Sequence, residues 1–313
     1  MRKFKFLGGF ALMMSLLVGC GNTETAPEPT ANLSETIQFG VMSTIDAIPI
    51  VIAEERGFFE KRGLNIEIIP FSSAMDREAA LRAGELDGLV TDLIGVTLAN
   101  EGGFELKITG ASTGNFTLIA NESITSIEDL KGKTVLISSN TSIEHTLDRM
   151  LESAGLSADD IIKEEVPAIP TRMELLRNNQ ADAAVLPEPF VTIAKASGLV
   201  ALTDTVEINF NPFITAFTQE AIDLKSDEIK AFYEAYAEAV KYLNTTPLEN
   251  YIDIVVERVG FPAELKDQVS LPEFVFELPN NDDVNSAIQW LKDRGLITQD
   301  FVAQDLISDI AVK

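Results

Sequence analysis

The sequence predicts an α/β protein built as two similar lobes, on three observations. From Ile37 onward, short apolar runs alternate with amphipathic stretches, the pattern of strands and helices taking turns around largely parallel sheets. The middle of the chain repeats the order of its beginning at a constant offset of 95 residues. Two extended segments rich in Thr, Phe and Ile, Asn115–Asn121 and Asn211–Gln219, flank the second copy.

In chain order, the pattern predicts a strand over Ile37–Met42, a helix over Ala47–Glu55, a strand over Asn65–Pro70 and a helix over Met75–Ala83. Strands Asp87–Thr91 and Leu106–Gly110 follow, with a helix near Asp92–Asn100 between them. Arg77-Glu78-Ala79-Ala80-Leu81-Arg82 and then Asp87-Gly88-Leu89-Val90 align without gaps onto Arg172-Met173-Glu174-Leu175-Leu176-Arg177 and then Asp182-Ala183-Ala184-Val185. At the same offset Gln38–Thr44 falls on Lys133–Ser139, strand on strand. A shared offset for separate strand segments points to two β-α-β-α-β cores.

The lobes need not be sequential. The two extended segments read as crossover strands, one leaving the first lobe and one returning to it. Lobe one is then residues 36–114 and 215–313, lobe two is 115–214, and the hinge crossovers lie near 112–117 and 208–215. The C-terminal part is expected to be helical and packed on lobe one. Ser226 is the expected N-cap of a long helix with Asp227 and Glu228 in its first turn. Ile229, Phe232, Tyr233, Tyr236, Val240 and Leu243 keep helical spacing along one face of it, and such a stripe reads as core. Trp290 is read the same way, as packing.

The first residues read as an export signal. Arg2, Lys3 and Lys5 precede an apolar run, Phe6 to Val18, that is too short to span a bilayer comfortably. The run ends in Leu17-Val18-Gly19-Cys20, which resembles the lipobox of bacterial lipoproteins. That resemblance implies cleavage after residue 19 and acylation of Cys20, and two or more acyl chains give a stable anchor in the bilayer. Cys20 is the single cysteine of the chain, and lipidation accounts for it. Residues 20–35, rich in Thr, Pro, Glu, Ala and Asn, read as a disordered tether. The protein is expected on the outer face of the cytoplasmic membrane, extracellular in a Gram-positive cell and periplasmic otherwise.

Composition excludes several chemistries. With 24 Lys+Arg against 49 Asp+Glu the net charge is −25, which argues against nucleic acid as a partner. One histidine, His145, and one cysteine leave no zinc site and no His-based triad. No metal and no cofactor is expected, and a monomer is.

Several stretches then read as one family. Ala53 to Leu64 (AEERGFFEKRGL), Ala80 to Thr91 (ALRAGELDGLVT), Ala183 to Phe190 (AAVLPEPF) and Trp290 to Ile297 (WLKDRGLI) resemble ABC-transporter solute-binding proteins of the nitrate, alkanesulfonate, taurine and thiamine-pyrimidine-precursor branch. The resemblance covers about residues 36–300. It implies a two-lobed periplasmic-binding-protein fold (type II-like), two hinge strands, a ligand cleft between lobes, closure on ligand and an ABC permease as partner. Gly57 is free to end the first helix at positive φ, and Phe58 and Phe59 then plug the core. The family also resembles eukaryotic pyrimidine synthases, but with one His and its sole Cys in the export signal this chain is not expected to be an enzyme. A ligand sensor for a membrane receptor is a further alternative.

In parallel α/β sheets, ligands bind outside the carboxyl ends of the strands, against helix N-termini. The segments placed there are Ser43–Asp46, Phe71–Ala74, Thr91–Leu93, Ser112–Phe116, Ser138–Ser142, Pro187–Phe190 and Phe210–Ile214. They supply the candidate ligand-binding residues Ser43, Thr44, Asp46, Ser72, Ser73, Thr91, Asp92, Ser112, Asn115, Phe116, Ser138, Ser139, Asn140, Thr141, Glu188, Phe190 and Phe213. The hydroxyls and amides among them are also natural helix caps. None of the seven segments holds Lys or Arg, whereas Asp46, Asp92 and Glu188 are acidic. An anion about 6 Å from one unpaired carboxylate, at an effective dielectric near 20, would be opposed by roughly 3 kcal/mol. The expected ligand is therefore a neutral or cationic heterocycle such as a thiamine pyrimidine precursor, with sulfonate- or nitrate-type anions as the alternative. Glu188, framed by Pro187 and Pro189, is the foremost candidate, and His145 is expected at the surface or the rim.

Overall fold

The structure is a computed structural model that describes residues 33–312. The export signal, Cys20 and most of the tether lie outside the described residues. Among the described residues no helix is long and apolar enough to cross a membrane.

The first half of the chain gives β1 (Thr36–Met42), α1 (Ile48–Glu55), β2 (Asn65–Phe71), α2 (Ala74–Arg82), β3 (Gly88–Asp92), α3 (Leu93–Glu101) and β4 (Leu106–Ala111). The repeat follows as β5 (Phe116–Ala120), β6 (Thr134–Ile137), α4 (Ser142–Ser153), β7 (Ile162–Glu165), α5 (Ile169–Arg177), β8 (Ala183–Pro187), α6 (Phe190–Ala196) and β9 (Val200–Asp204). The chain then returns through β10 (Phe213–Thr218) to α7 (Gln219–Leu224), α8 (Ser226–Thr245), α9 (Ile252–Val255), α10 (Asn281–Asp293) and α11 (Ala303–Leu306).

Two five-stranded sheets result, ordered β2-β1-β3-β10-β4 and β7-β6-β8-β5-β9. The orders correspond strand for strand, as the repeat predicts. Both sheets are mixed rather than largely parallel. β10 runs antiparallel between β3 and β4, and β5 antiparallel between β8 and β9, so each crossover strand is inserted into a sheet against its neighbours. The chain passes between sheets at residues 112–115 and 205–212, the first shorter than expected by two residues and the second shifted three residues earlier. Phe116 and Thr117 already pair in sheet two, and Phe213 and Ile214, expected in lobe two, pair in sheet one.

The C-terminal helices pack on sheet one. The apolar stripe of α8 buries Ile229, Phe232, Tyr233, Tyr236, Val240 and Leu243. Phe232 stacks on Phe39 of β1 at 4.8 Å and on Phe59 at 5.6 Å between ring centroids, and meets the edge of Phe217 at 5.4 Å. The Tyr233 hydroxyl satisfies itself on Thr215 at 2.8 Å and on Thr109, so a polar atom enters this core without an orphaned bond. Ser226 opens α8 but makes no capping bond; Lys225 holds the cap position, and the first turn is favoured by Asp227 and Glu228 alone. Gly57 sits at φ 68° just past α1, where its N–H and that of Phe58 close on the carbonyls of Glu54 and Ala53. Gly88 is required for space: a Cβ there would lie 2.6 Å from the Phe217 ring.

Because Phe232 touches aromatic side chains from β1, β10 and the segment after α1, its truncation leaves a cavity that no single neighbour can fill. Phe232→Ala is expected to cost about 3–5 kcal/mol, read as a lowered denaturation midpoint with unchanged slope.

Candidate functional site

The carboxyl ends of both sheets face one cavity of about 530 Å³. From sheet one it is lined by Thr44, Asp46, Arg77, Thr91 and Asp92, and from sheet two by Ser138, Thr141, Ile143, Ile169, Arg172 and Pro187. Phe116 and Phe213, the first residues after each crossover, lie against one another at 4.4 Å on its lining.

Two lining residues correct the expectation of a cleft without cations. Arg77 and Arg172 stand at the fourth position of α2 and of α5, equivalent places in the repeat. Helical Cα–Cβ bonds tilt toward the N-terminus, so a long side chain one turn in reaches back over the strand ends. A search confined to the loops at those ends passes over it. The signal that finds both was present in the alignment, which pairs Arg77 with Arg172.

Both guanidiniums are buried, at 5% and 1% exposure, and each leaves its Nε–H without a partner. Arg77 bonds the Thr91 hydroxyl at 2.9 Å and Glu78 at 3.1 Å. Arg172 donates only to the carbonyl of Val166, at 3.2 Å, and burial lowers its pKa to about 10 against the pull of Glu165. A buried cation with so little compensation is costly.

The acids of the cavity are under the opposite stress. Burial raises the pKa of Asp46, opposed by the Thr44 hydroxyl that it accepts and by the charge of Arg77. Burial raises that of Asp92 too, against Arg77 and the N–H of Gly95 that it caps at 2.9 Å. The cavity therefore holds donors and acceptors together, with neither set fully used.

The remaining candidates divide by position. Thr141 caps α4 through Ile143 N–H, and Ser73, buried, caps α2 through Asp76 N–H. Ser139 and Asn140 line an adjoining recess of about 700 Å³ with Met75, Glu78, Arg82 and Glu165. Ser43, Ser72 and Phe190 line another, of about 880 Å³, with Phe71, Pro170 and Val259. Ser112 is fully buried on the first crossover, its hydroxyl without a partner. Asn115 ties the two crossovers together, accepting from the Thr205 hydroxyl at 2.6 Å and donating to Asp204 at 3.2 Å. Glu188 is not on the cavity lining: both its oxygens are taken by Thr192 in the first turn of α6, from N–H and hydroxyl at 3.0 Å each.

His145 is likewise not at the surface. It is 2% exposed, between Phe210 and Trp290 at 5.1 and 5.3 Å, and burial lowers its pKa to about 3. Among the described residues no group of three or more His, Cys, Asp or Glu could hold a metal ion.

Comparison with known proteins places this arrangement. The family model described as NMT1/THI5 like matches residues 44–250, more than half of the chain, and the protein belongs to that family. A Brucella abortus protein described as a binding protein is 27% identical over 259 residues, covering 77% of this chain and 79% of that one. The alkanesulfonate-binding protein of Xanthomonas axonopodis pv. citri, solved with bound MOPS, superposes with a TM-score of 0.76 at 16% identity, over 90% of this chain and 99% of that one. The ligand-binding component of an ABC-type import system from Staphylococcus aureus, solved with zinc, gives 0.78 at 12% identity, over 90% and 99%. These likenesses establish the periplasmic-binding-protein fold.

Two outcomes follow from the charges. The folded protein holds the Asp46 proton more tightly than the unfolded chain does, so ionisation costs stability as pH rises past the ordinary 3.8. Asp46→Asn should therefore stabilise the empty protein in denaturation at about pH 7, with the gain shrinking toward about pH 4; a loss of stability at neutral pH would contradict this. Arg172→Met should raise the unfolding free energy of the empty protein by about 1 kcal/mol or more, because an uncompensated buried cation is removed. Calorimetric melting of the two proteins compares them.

Proposed function

We propose that the protein is the extracytoplasmic solute-binding component of an ABC importer, and that its solute is a small organic anion that also carries a hydrogen-bond donor. The observation that carries this reading is the pair of buried guanidiniums, Arg77 and Arg172, reaching one cavity from opposite sheets with unused Nε–H groups. An anion between them completes the bonding of both arginines at once, and charge-assisted bonds of this kind are the strong ones. Asp46 and Asp92, within reach of the Arg77 charge on the same lining, accept from an amino or N–H group of the solute. An aminosulfonate has this dipolar character. The expectation of a neutral or cationic ring rested on a cleft without cations, and that premise does not hold.

The similar structures, an alkanesulfonate-binding protein and the ligand-binding component of an ABC-type import system, support the class. Capture works by population shift: a solute that touches both sheets binds only when they are together, so its differential affinity draws the open form shut. A permease then reads the shut form. Acylation at Cys20 and a tether over residues 20–35 hold the binder at the outer face of the membrane. The family's neighbouring enzyme chemistry is not supported, since the single histidine is packed away from the cavity.

Isothermal titration with taurine, a simple alkanesulfonate, nitrate and an aminopyrimidine tests the reading. Taurine or the alkanesulfonate should bind, and Arg172→Met should weaken that binding by about a hundredfold, the effect of removing one partner of a buried charged contact. Tight binding of the aminopyrimidine alone, unchanged in Arg77→Met and Arg172→Met, would overturn it.

A further inference from the structure

The two lobes also meet away from the cavity, across a cluster of charged side chains between α4 and α10. α4 belongs to sheet two: Ile143, Leu147, Met150 and Leu151 pack with Val135, Ile137 and Val185. α10 belongs to sheet one: Val284, Ala287, Ile288 and Leu291 pack with Leu89, Leu93 and Ile94. Arg294, the residue after α10, bonds Glu144 and, at 3.3 Å, Asp148, both on α4. Its guanidinium lies 4.5 Å from the centre of the Trp290 ring, and the Trp290 indole N–H donates to Asp148 at 2.9 Å. Arg149 of α4 reaches the other way, to Ser286 of α10 at 3.2 Å.

The charge count makes this more than packing. The side chains of Glu144 and Asp148 are 3% and 10% exposed. Within their own lobe they share one cation, Lys163 of β7, at 2.9 and 2.6 Å. The second counter-charge, Arg294, comes from the other lobe. Burial alone would raise the Glu144 pKa, but Lys163, the Asn140 N–H and Arg294 outweigh it and keep the carboxyl below its ordinary range. Parting α4 from α10 takes Arg294 and the Trp290 N–H from Glu144 and Asp148 and leaves them Lys163 and water. The same helix carries the site: Thr141 caps α4 and Ile143 lies in its first turn, and both line the cavity. Across from them Asp92 caps α3, which α10 packs against.

We propose that Arg294 and Trp290 are positioning residues that latch α4 to α10, and so set how much of the empty protein is already shut and how tightly it takes its solute. Neither touches the cavity. This rests on the reading of the cavity as a solute site that the two lobes open and close. The latch raises affinity by making the binding-competent form common before solute arrives, and losing it lowers affinity by the fraction of that form lost.

The test uses no solute, so failure of the anion reading leaves it intact. Spin labels are placed at Leu224→Cys and Ile162→Cys, exposed positions of sheet-one and sheet-two elements that are 70% and 58% accessible, in a chain with Cys20→Ser. Pulsed dipolar distances report the separation of the lobes. Arg294→Ala should move population from the short to a longer distance, changing their ratio about tenfold, with Arg294→Lys restoring part of it. Arg62→Ala, which removes ion pairs to Glu234 and Glu238 within lobe one, should leave the distribution unchanged. Should Arg294→Ala fail to fold, Trp290→Phe, which removes the indole bond to Asp148 and shrinks the ring under Arg294, should shift the ratio in the same direction. Distance distributions identical to the parent in a folded Arg294 or Trp290 variant would make the cluster a fixed pivot and overturn the proposal.

Discussion

Two guanidinium groups are held out of water with part of their bonding unused, one on each side of a single cavity. Everything else about the site can be referred to that condition. Desolvating Arg77 and Arg172 costs free energy that the empty protein recovers only in part, through Thr91 and Glu78 for one and a lone carbonyl for the other. On the proposed function, the deficit is least when an acceptor from solution lies between them, so the stability of the closed arrangement depends on occupancy. A binding protein that must release its cargo needs such an arrangement, because a fully satisfied cavity would stay shut without solute.

The fold supplies the two arms by repetition. Each sheet presents a β-α-β-α-β order in which the fourth residue of an equivalent helix is arginine, and each sheet accepts one antiparallel crossover strand. The crossovers bring Phe116 and Phe213 together beside the cavity, and Asn115 bonds one crossover to the other through Thr205. The hinge therefore lies next to the site, and small rotations there change the separation of Arg77 and Arg172. The aromatic core around Phe232 keeps α8 on sheet one, while a separate apolar cluster with Leu89, Leu93 and Ile94 holds α10 there and brings Arg294 to the acids of α4.

Much of this architecture is legible in the sequence, and the reasons differ from element to element. The strands and helices of the first lobe are readable to within about a residue, because their apolar runs are short, periodic and separated by glycine and polar turns. The two-sheet plan is readable because the repeat keeps its offset. The capping roles of Ser73 and Thr141 follow from residue type at strand ends. What escapes is whatever depends on side-chain reach or long-range partners. Arg77 and Arg172 enter the cavity from inside helices, and Glu188 turns its oxygens to Thr192 four residues on. His145 is buried by α10, more than a hundred residues away in sequence, and no local pattern announces that contact. Antiparallel insertion of β5 and β10 is a choice between directions that apolar alternation does not distinguish.

The central claim is that one solute is gripped by both lobes through the paired arginines. A crystal structure of the protein purified from its own host with the solute it carries tests that claim most directly. The account predicts one molecule in the cavity whose anionic group bonds both Arg77 and Arg172. A solute that touches residues of one sheet only, or that sits in the recess beside Phe71 and Phe190 with both arginines uncontacted, would contradict it.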